Sequence, residues 1–315
     1  SGVHAANIVN VTSATNILTG ADNDKVTNYT NGVVINVGDG ANYVSNVGSN
    51  TSITGGSGID EIYNAGNKVY ITAGAGNDNI YAVNISVSGG DLAGTYGSET
   101  TIVAGAGNDN IYLSTDLKLS EDAEGNYTLY SDGKIYNYSA EDDELTEVEA
   151  STVTQLHNSV IVIDAATKNN ANTVYDYGYG DRIEVTGLTG TQKVTIAKSG
   201  TTDAKITAGN ASLVVKNVLD GTIIEVGSSS DTTLYSWNGK AFVNRQIVSN
   251  IDSNVNSLIN SVSATSAAES ITVDYISDTK IATINAGDGA DTITISENSN
   301  GVSVNASLGN DVIIF

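Results

Sequence analysis

The chain has 315 residues, 13 basic against 36 acidic for a net charge of −23, and no cysteine, methionine or proline. So negative a surface repels phosphates, which excludes nucleic acid as a partner, and without cysteine no disulfide can staple a small core. Apolar residues reach 40% and are rich in Val and Ile, which argues for strands over disorder, and no apolar run is long enough to span a membrane.

The first predicted element is a repeat. Gly20 in "TGADNDKVT", Gly38 in "VGDGANYVS", Gly56 in "GGSGIDEIY" and Gly74 in "AGAGNDNIY" follow one another at 18-residue intervals. A fifth copy at Gly105 is displaced by 31, one period plus a 13-residue insertion around residues 88–100. Half a period away runs a weaker word, "NYTNGVVIN", "NVGSNTSIT" and "NAGNKVYIT", so each 18-residue coil holds two nine-residue halves. Each half is a turn followed by a short strand. Val26, Ile35, Val44, Ile53, Ile62, Ile71 and Ile80 share the eighth place, which strand alternation puts on the inner face. Stacked at ~4.8 Å per coil, they make a narrow aliphatic column that depends on contacts between neighbours. The absence of proline suits such uninterrupted ladders. Asn28, Asn46 and Asn64 recur once per coil and read as a hydrogen-bonded ladder. Tyr63, Tyr81 and Tyr112 form an outward stripe, for ring stacking across coils or for contact with a sugar or protein.

The turns carry the chemistry. Glycine tolerates positive φ and leaves the carbonyl oxygens unobstructed. An aspartate just before each strand delivers a carboxylate to one edge of every coil: Asp22 and Asp24 in the first copy, then Asp60, Asp78 and Asp109, with Asn42 taking the place in the second. A column of like charges is destabilising unless cations lie between them. Carboxylate and carbonyl oxygens in a flexible loop favour Ca2+ over zinc or magnesium. Each turn is then half of an ion site, and the next coil supplies the other half.

"GGSGIDEIY" and the two "AGAGNDNIY" copies resemble the nonapeptide G-G-x-G-x-D-x-U-x of RTX (haemolysin-type) calcium-binding repeats. The resemblance covers roughly 15–114 and 271–315. It implies an all-β fold: a parallel β-roll, that is, a right-handed β-solenoid of 18-residue coils with calcium between successive turns. The ligands it implies are the carboxylates named above, Asn42, and the glycine carbonyls of Gly38, Gly40, Gly56, Gly58, Gly74, Gly76, Gly105 and Gly107. In the C-terminal copies "AGDGADTIT" and "SLGNDVII", 20 residues apart, they are Gly287, Gly289, Asp291, Gly309 and Asp311. The half-turns on the other side lack aspartate, so ions are expected along one edge. Asn42 weakens the sites beside it, which leaves Asp60/Asp78 and Asp78/Asp109 as the best pairs.

Past the roll of residues 1–114, residues 115–150 break the period and alternate around "EGN" and "SDGK", which predicts an inserted antiparallel hairpin or meander with a solvated acidic run at 141–149. A β-rich middle module follows at 151–245. Within it "NTVYDYGYGDRIEVTGL" resembles a module found beside such repeats, a plain hairpin turn at Gly178–Asp181 being the competing reading, and strands to residue 226 continue it as a meander. "TTLYSWNGKAFVN" predicts a hairpin over Asn238-Gly239, with Trp237 beside the turn. Residues 246–270 form a short helical, polar linker, with Ile247, Ile251, Val255, Leu258, Ile259 and Val262 on one helical face. A second roll occupies 271–315.

Catalytic constellations are scarce: two histidines, no H-E-x-x-H and no G-x-S-x-G. A non-catalytic, calcium-binding structural protein of the bacterial cell surface is expected, assembling head-to-tail into a filament or S-layer-like array through open strand edges. An adhesin that binds a cell-surface glycan, or the tail of a larger secreted toxin or hydrolase, are the alternatives. The resemblance also implies one-step, type I-like secretion and folding in external calcium. The chain starts at Ser1 without a signal-like segment, and incomplete coverage of a longer protein accounts for its abrupt ends as well as open edges do.

Overall fold

In a computed structural model, the residues described are 4–11, 16–89, 92–122, 124–148, 152–169, 171–178, 180–189, 192, 194–218, 223–228, 231–237, 242–245, 261–263, 270–273, 282–286, 288–295, 302–306 and 308–315. They form an all-β structure; no α-helix occurs among them. The chain divides into two units, Ser1–Tyr177 with Asp181–Asn217, and Gly178–Gly180 with Val218–Phe315.

The first unit begins with strands that come in pairs. β1 (Asn7–Asn10) and β2 (Asn16–Gly20) are followed by β3 (Lys25–Asn28) and β4 (Val34–Gly38), then β5 (Tyr43–Asn46) and β6 (Ser52–Ser57). β7 (Glu61–Asn64) and β8 (Tyr70–Ala75) continue the series with β9 (Asn79–Ala82). β10 (Ile85–Ser88) and β11 (Gly94–Tyr96) interrupt it, and β12 (Thr101–Ala106) and β13 (Asn110–Tyr112) resume it. β14 (Leu117–Glu121), β15 (Tyr127–Ser131), β16 (Lys134–Ser139), β17 (Glu144–Glu147) and β18 (Thr152–Gln155) form a second interruption. β19 (Val160–Asp164), β20 (Asn172–Tyr175) and β21 (Arg182–Thr186) resume once more, and β22 (Val194–Ser199), β23 (Asp203–Ala208) and β24 (Ala211–Val215) end the unit.

Alternate strands of the series join alternate sheets. One sheet runs β1-β3-β5-β7-β9-β13-β20-β24 in parallel, then turns antiparallel through β23 and β22. The other runs β2-β4-β6-β8-β12-β19-β21, parallel throughout. One strand from each sheet is here called a rung. The register is the 18-residue period read from the sequence: Val26 pairs Val44, Val44 pairs Ile62, and Ile62 pairs Ile80. Like residues therefore stack on like. Val26, Val44, Ile62, Ile80, Ile111 and Val174 form one buried column, and Ile35, Ile53, Ile71, Ile102, Ile161 and Ile183 a second. Each such side chain contributes roughly 1.5–3 kcal/mol on burial. All seven residues assigned to the inner face are fully buried.

Both interruptions are antiparallel. The 13-residue insertion carries β11, which pairs with β10, while β18 pairs with β10 on its other side. β14 to β17 form a four-stranded antiparallel sheet, as the alternation predicts, and the acidic β17 is exposed along its whole length. Leu117, Leu119, Tyr130 and Ile135 of that sheet bury themselves against Ala65, Val83, Ile85 and Val87. These insertions ride on the stacked strands without ending them.

Parallel stacking does not stop at residue 114. β12 pairs with β19 and β13 with β20 in the earlier register, Ile102 with Ile161 and Ile111 with Val174. The insertion at 115–158 pushes these strands so far along the chain that the period no longer reveals them. A hairpin turn at Gly178–Asp181 is not formed either: β20 and β21 belong to different sheets. Of the meander predicted over 206–226, β23 and β24 pair antiparallel, with β22 added on the far side of β23, whereas the strand at Ile223–Ser228 does not pair with β24.

The second unit contains β25 (Ile223–Ser228), β26 (Asp231–Trp237) and β27 (Phe242–Arg245), an antiparallel set in which Trp237 pairs with Phe242. The Asn238-Gly239 turn lies outside the described residues. So do residues 246–260 and 264–269 of the predicted helical linker; its described residues, Ser261–Ser263 with Val262 of the expected helical face and Ser270, stand in strands instead. β28 (Ser261–Ser263) through β33 (Val312–Ile314), namely β29 (Ser270–Val273), β30 (Ala282–Asn285), β31 (Thr292–Ile295) and β32 (Val302–Asn305) between them, repeat the two-sheet scheme. The orders are β28-β30-β32 and β29-β31-β33, with Ile293 opposite Ile313.

Candidate metal centre

Parallel register decides what the acidic turns bring together. Asp24, Asn42, Asp60, Asp78 and Asp109 each immediately precede a strand of the first sheet, and their carbonyls accept equivalent ladder bonds from Tyr43, Glu61, Asn79, Asn110 and Thr173. They therefore occupy the same place in successive rungs. Their side chains form a buried column, with Asp60 and Asp78 fully excluded from solvent.

Within the column each backbone N–H donates to the side-chain Oδ1 of the next rung. Asp24 N donates to Asn42 Oδ1, Asn42 N to Asp60 Oδ1, Asp60 N to Asp78 Oδ1 and Asp78 N to Asp109 Oδ1, each at 2.9 Å. Asp109 N continues to Asn172 Oδ1 at 3.2 Å, and Ala6 N begins the series at Asp24 Oδ1. Asn172, the first residue of β20, extends the column past the large insertion, and the 18-residue period does not mark it in the sequence.

One carboxylate oxygen per rung is thus bonded, and the other is not. Oδ2 of Asp24, Asp60, Asp78 and Asp109 is buried without a hydrogen-bond partner, and so is Oδ2 of Asp22. Buried oxygens without donors are costly, the more so when charged. Asn42 differs at this point. Its Nδ2 donates to Gly38 O at 3.1 Å, Gly40 O at 3.2 Å and Asp60 Oδ1 at 2.9 Å. Where an amide replaces the carboxylate, the corner is satisfied.

Burial is also the main cause of the shifted acidities. It pushes the Asp78 carboxyl up to about 7 from its ordinary 3.8; the Asp60 N–H opposes this, and the charges of Asp109 and Asp60 add to it. Burial raises Asp60 and Asp109 as well, against hydrogen bonds from Asn42 to the former and from Asp78 and Asn172 to the latter.

The glycines form two columns beside the acids. Gly20, Gly38, Gly56, Gly74 and Gly105 stack in one, and Asp22, Gly40, Gly58, Gly76 and Gly107 in the other. Gly74 has φ +116°, which favours glycine, as expected for a turn. Gly76 has no such φ, yet a Cβ there would lie 1.6 Å from Gly58 O. Its requirement is close stacking: the rung below presents its carbonyl where a side chain would begin. In the second unit Gly289 bridges Gly309, and Asp291 N donates to Asp311 Oδ1 at 3.0 Å, the same rung-to-rung bond. Gly287 lies outside the described residues.

These donors suit a hard cation. Two carboxylates from adjacent rungs, glycine carbonyls and buried oxygens without donors are the chemistry of a calcium corner. Among the described residues no three Asp, Glu or His side chains converge on one point. An ion at this corner would therefore rely on backbone carbonyls for much of its shell.

Two other ladders are structural. Asn10, Asn28, Asn46 and Asn64 bond amide to carbonyl at 2.8 Å per step, and Asn64 ends on Thr100 Oγ1. The tyrosine stripe runs Tyr43, Tyr63, Tyr81, Tyr112, Tyr175, with the last four rings stacked at 4.5–4.9 Å. Stacking uses the faces of the inner rings on one another, where a sugar would need a face open.

Sequence reading missed a further acidic corner, at the other sheet. Ser159 N donates to Asp181 Oδ1 at 3.0 Å, and His157 Nδ1 lies 3.0 Å from Asp181 Oδ2. The spacing of 24 residues between His157 and Asp181 obeys no period and so gave no signal.

Compared with known proteins, the chain matches no protein-family model, no curated protein and no solved structure. Among the described residues no helix is long and apolar enough to cross a membrane.

Proposed function

We propose that the stacked rungs form a right-handed β-roll of the RTX type, whose acidic corners bind Ca2+, and that the protein is a secreted, non-catalytic component of a bacterial surface. The observation that carries this reading is the buried column of Asp60, Asp78 and Asp109, each with one oxygen lacking a donor. Bound calcium would supply positive charge to those oxygens and so join neighbouring rungs. Asp60, Asp78, Asp109 and the carbonyls of Gly56, Gly58, Gly74, Gly76, Gly105 and Gly107 would hold it. Asp22 and Asp24 would serve the first rungs, and Asp291 and Asp311 with Gly289 and Gly309 the second unit.

Binding energy then becomes folding energy, because the site does not exist in the unfolded chain. Affinities of about 10⁻⁴–10⁻³ M, usual for extracellular modules, would leave the chain unfolded before export and folded after it. Self-association of open strand edges into a filament or layer belongs to the same proposal. Circular dichroism tests the calcium reading: the strand signal falls in chelator and returns on adding millimolar calcium. An unchanged spectrum and melting midpoint in both buffers would remove it.

A further inference from the structure

The rung built around Asn42 is an internal control. Its backbone occupies the same register as those of Asp60, Asp78 and Asp109, yet its side chain ends in a donor rather than an acceptor. That nitrogen sits among three oxygens, Gly38 O, Gly40 O and Asp60 Oδ1, all within 3.2 Å. A group that meets three oxygens and offers them positive hydrogens does what a cation does at such a point. The flanking carboxylates of Asp24 and Asp60 keep Oδ2 buried and without a hydrogen-bond partner.

We propose that the Asn42 amide takes the seat that a cation occupies in the neighbouring rungs, so that this rung closes without metal and the corners at Asp60/Asp78 and Asp78/Asp109 do not. The inference rests on the calcium reading above and adds to it a division of the column into a permanent part and a conditional one. Asn42 lies between Asp24 and Asp60, so one metal-independent rung stands between rungs whose carboxylates keep a buried oxygen without a partner. An amide placed at Asp78 should confer the same independence. Asp78 is the apt site because Ala73, like Val37 before Asn42, puts a Cβ on the inner face, whereas Gly55 leaves that space to Asp60 Oδ2.

The test uses the full chain, Asn42→Asp and Asp78→Asn, with urea midpoints measured in chelator and in calcium, and bound calcium counted by isothermal titration. Asp78→Asn should raise the midpoint in chelator above wild type and lower the calcium count. Asn42→Asp should lower the midpoint in chelator and raise the count. The inference is overturned if Asp78→Asn is no more stable than wild type in chelator, or if the wild type binds calcium and Asn42→Asp leaves the count unchanged. Should Asn42→Asp fail to fold, Asp78→Asn decides the matter. A wild type that binds no calcium is a separate result: it removes the calcium reading, and the chelator midpoints of Asp78→Asn still show whether the corner requires a donor.

Discussion

At the scale of single residues, the aspartates of this chain are defined by what lies one rung away. Asp78 accepts from the N–H of Asp60 and gives its own N–H to Asp109, while its second oxygen stays buried without a donor. Burial, reinforced by the neighbouring charges, holds its carboxyl near 7, and Asp60 and Asp109 are raised for the same first reason. A carboxyl with a raised native pKa binds its proton more tightly when folded. Its contribution to stability is complete below the unfolded value of 3.8 and is lost as pH rises through about 7. Metal-free protein should therefore melt at higher temperature at pH 5.5 than at pH 8, and calcium should flatten that slope by holding the carboxylates ionised. Melting curves across this range in chelator and in calcium check both halves. The glycines show where local reasoning stops. A positive φ at Gly74 is a property a turn motif conveys, whereas the demand at Gly76 comes from Gly58 O in another rung.

At the scale of elements, period and alternation made the strands legible. Val26 to Ile80 sit on the inner face because a two-residue alternation inside a nine-residue half leaves no other choice, and parallel pairing at 18 residues follows from identical words. The antiparallel sheet β14–β17 was equally legible from its alternation and turn residues. Its docking was not. Leu119, fully buried in the cluster with Val83, Ile85 and Tyr130, ties the sheet to strands that precede it by thirty or more residues. Leu119→Ala should cost about 2–5 kcal/mol in that cluster. Hydrogen exchange should place the loss in β14–β17 and β10, with the Asp60–Asp109 column still responding to calcium as in wild type.

At the scale of the whole molecule, a net charge of −23 meets a structure that draws part of that charge into buried columns. On the proposed reading, calcium offsets it and permits the rungs to stack. Sedimentation velocity in calcium should then show assemblies larger than the monomer, dispersed by chelator; monomers in both buffers would remove the filament while leaving the calcium sites to their own test. The repeat, its inner face, the asparagine ladder and the acidic edge were all readable from the chain, because a periodic fold writes each rung's contacts into a fixed offset. The continuation of the parallel sheets through β19, β20 and β21, the entry of Asn172 into the column and the meeting of His157 with Asp181 required the folded structure. Insertions destroy the offset while leaving the hydrogen-bond register intact, and only the register in space brings those residues together.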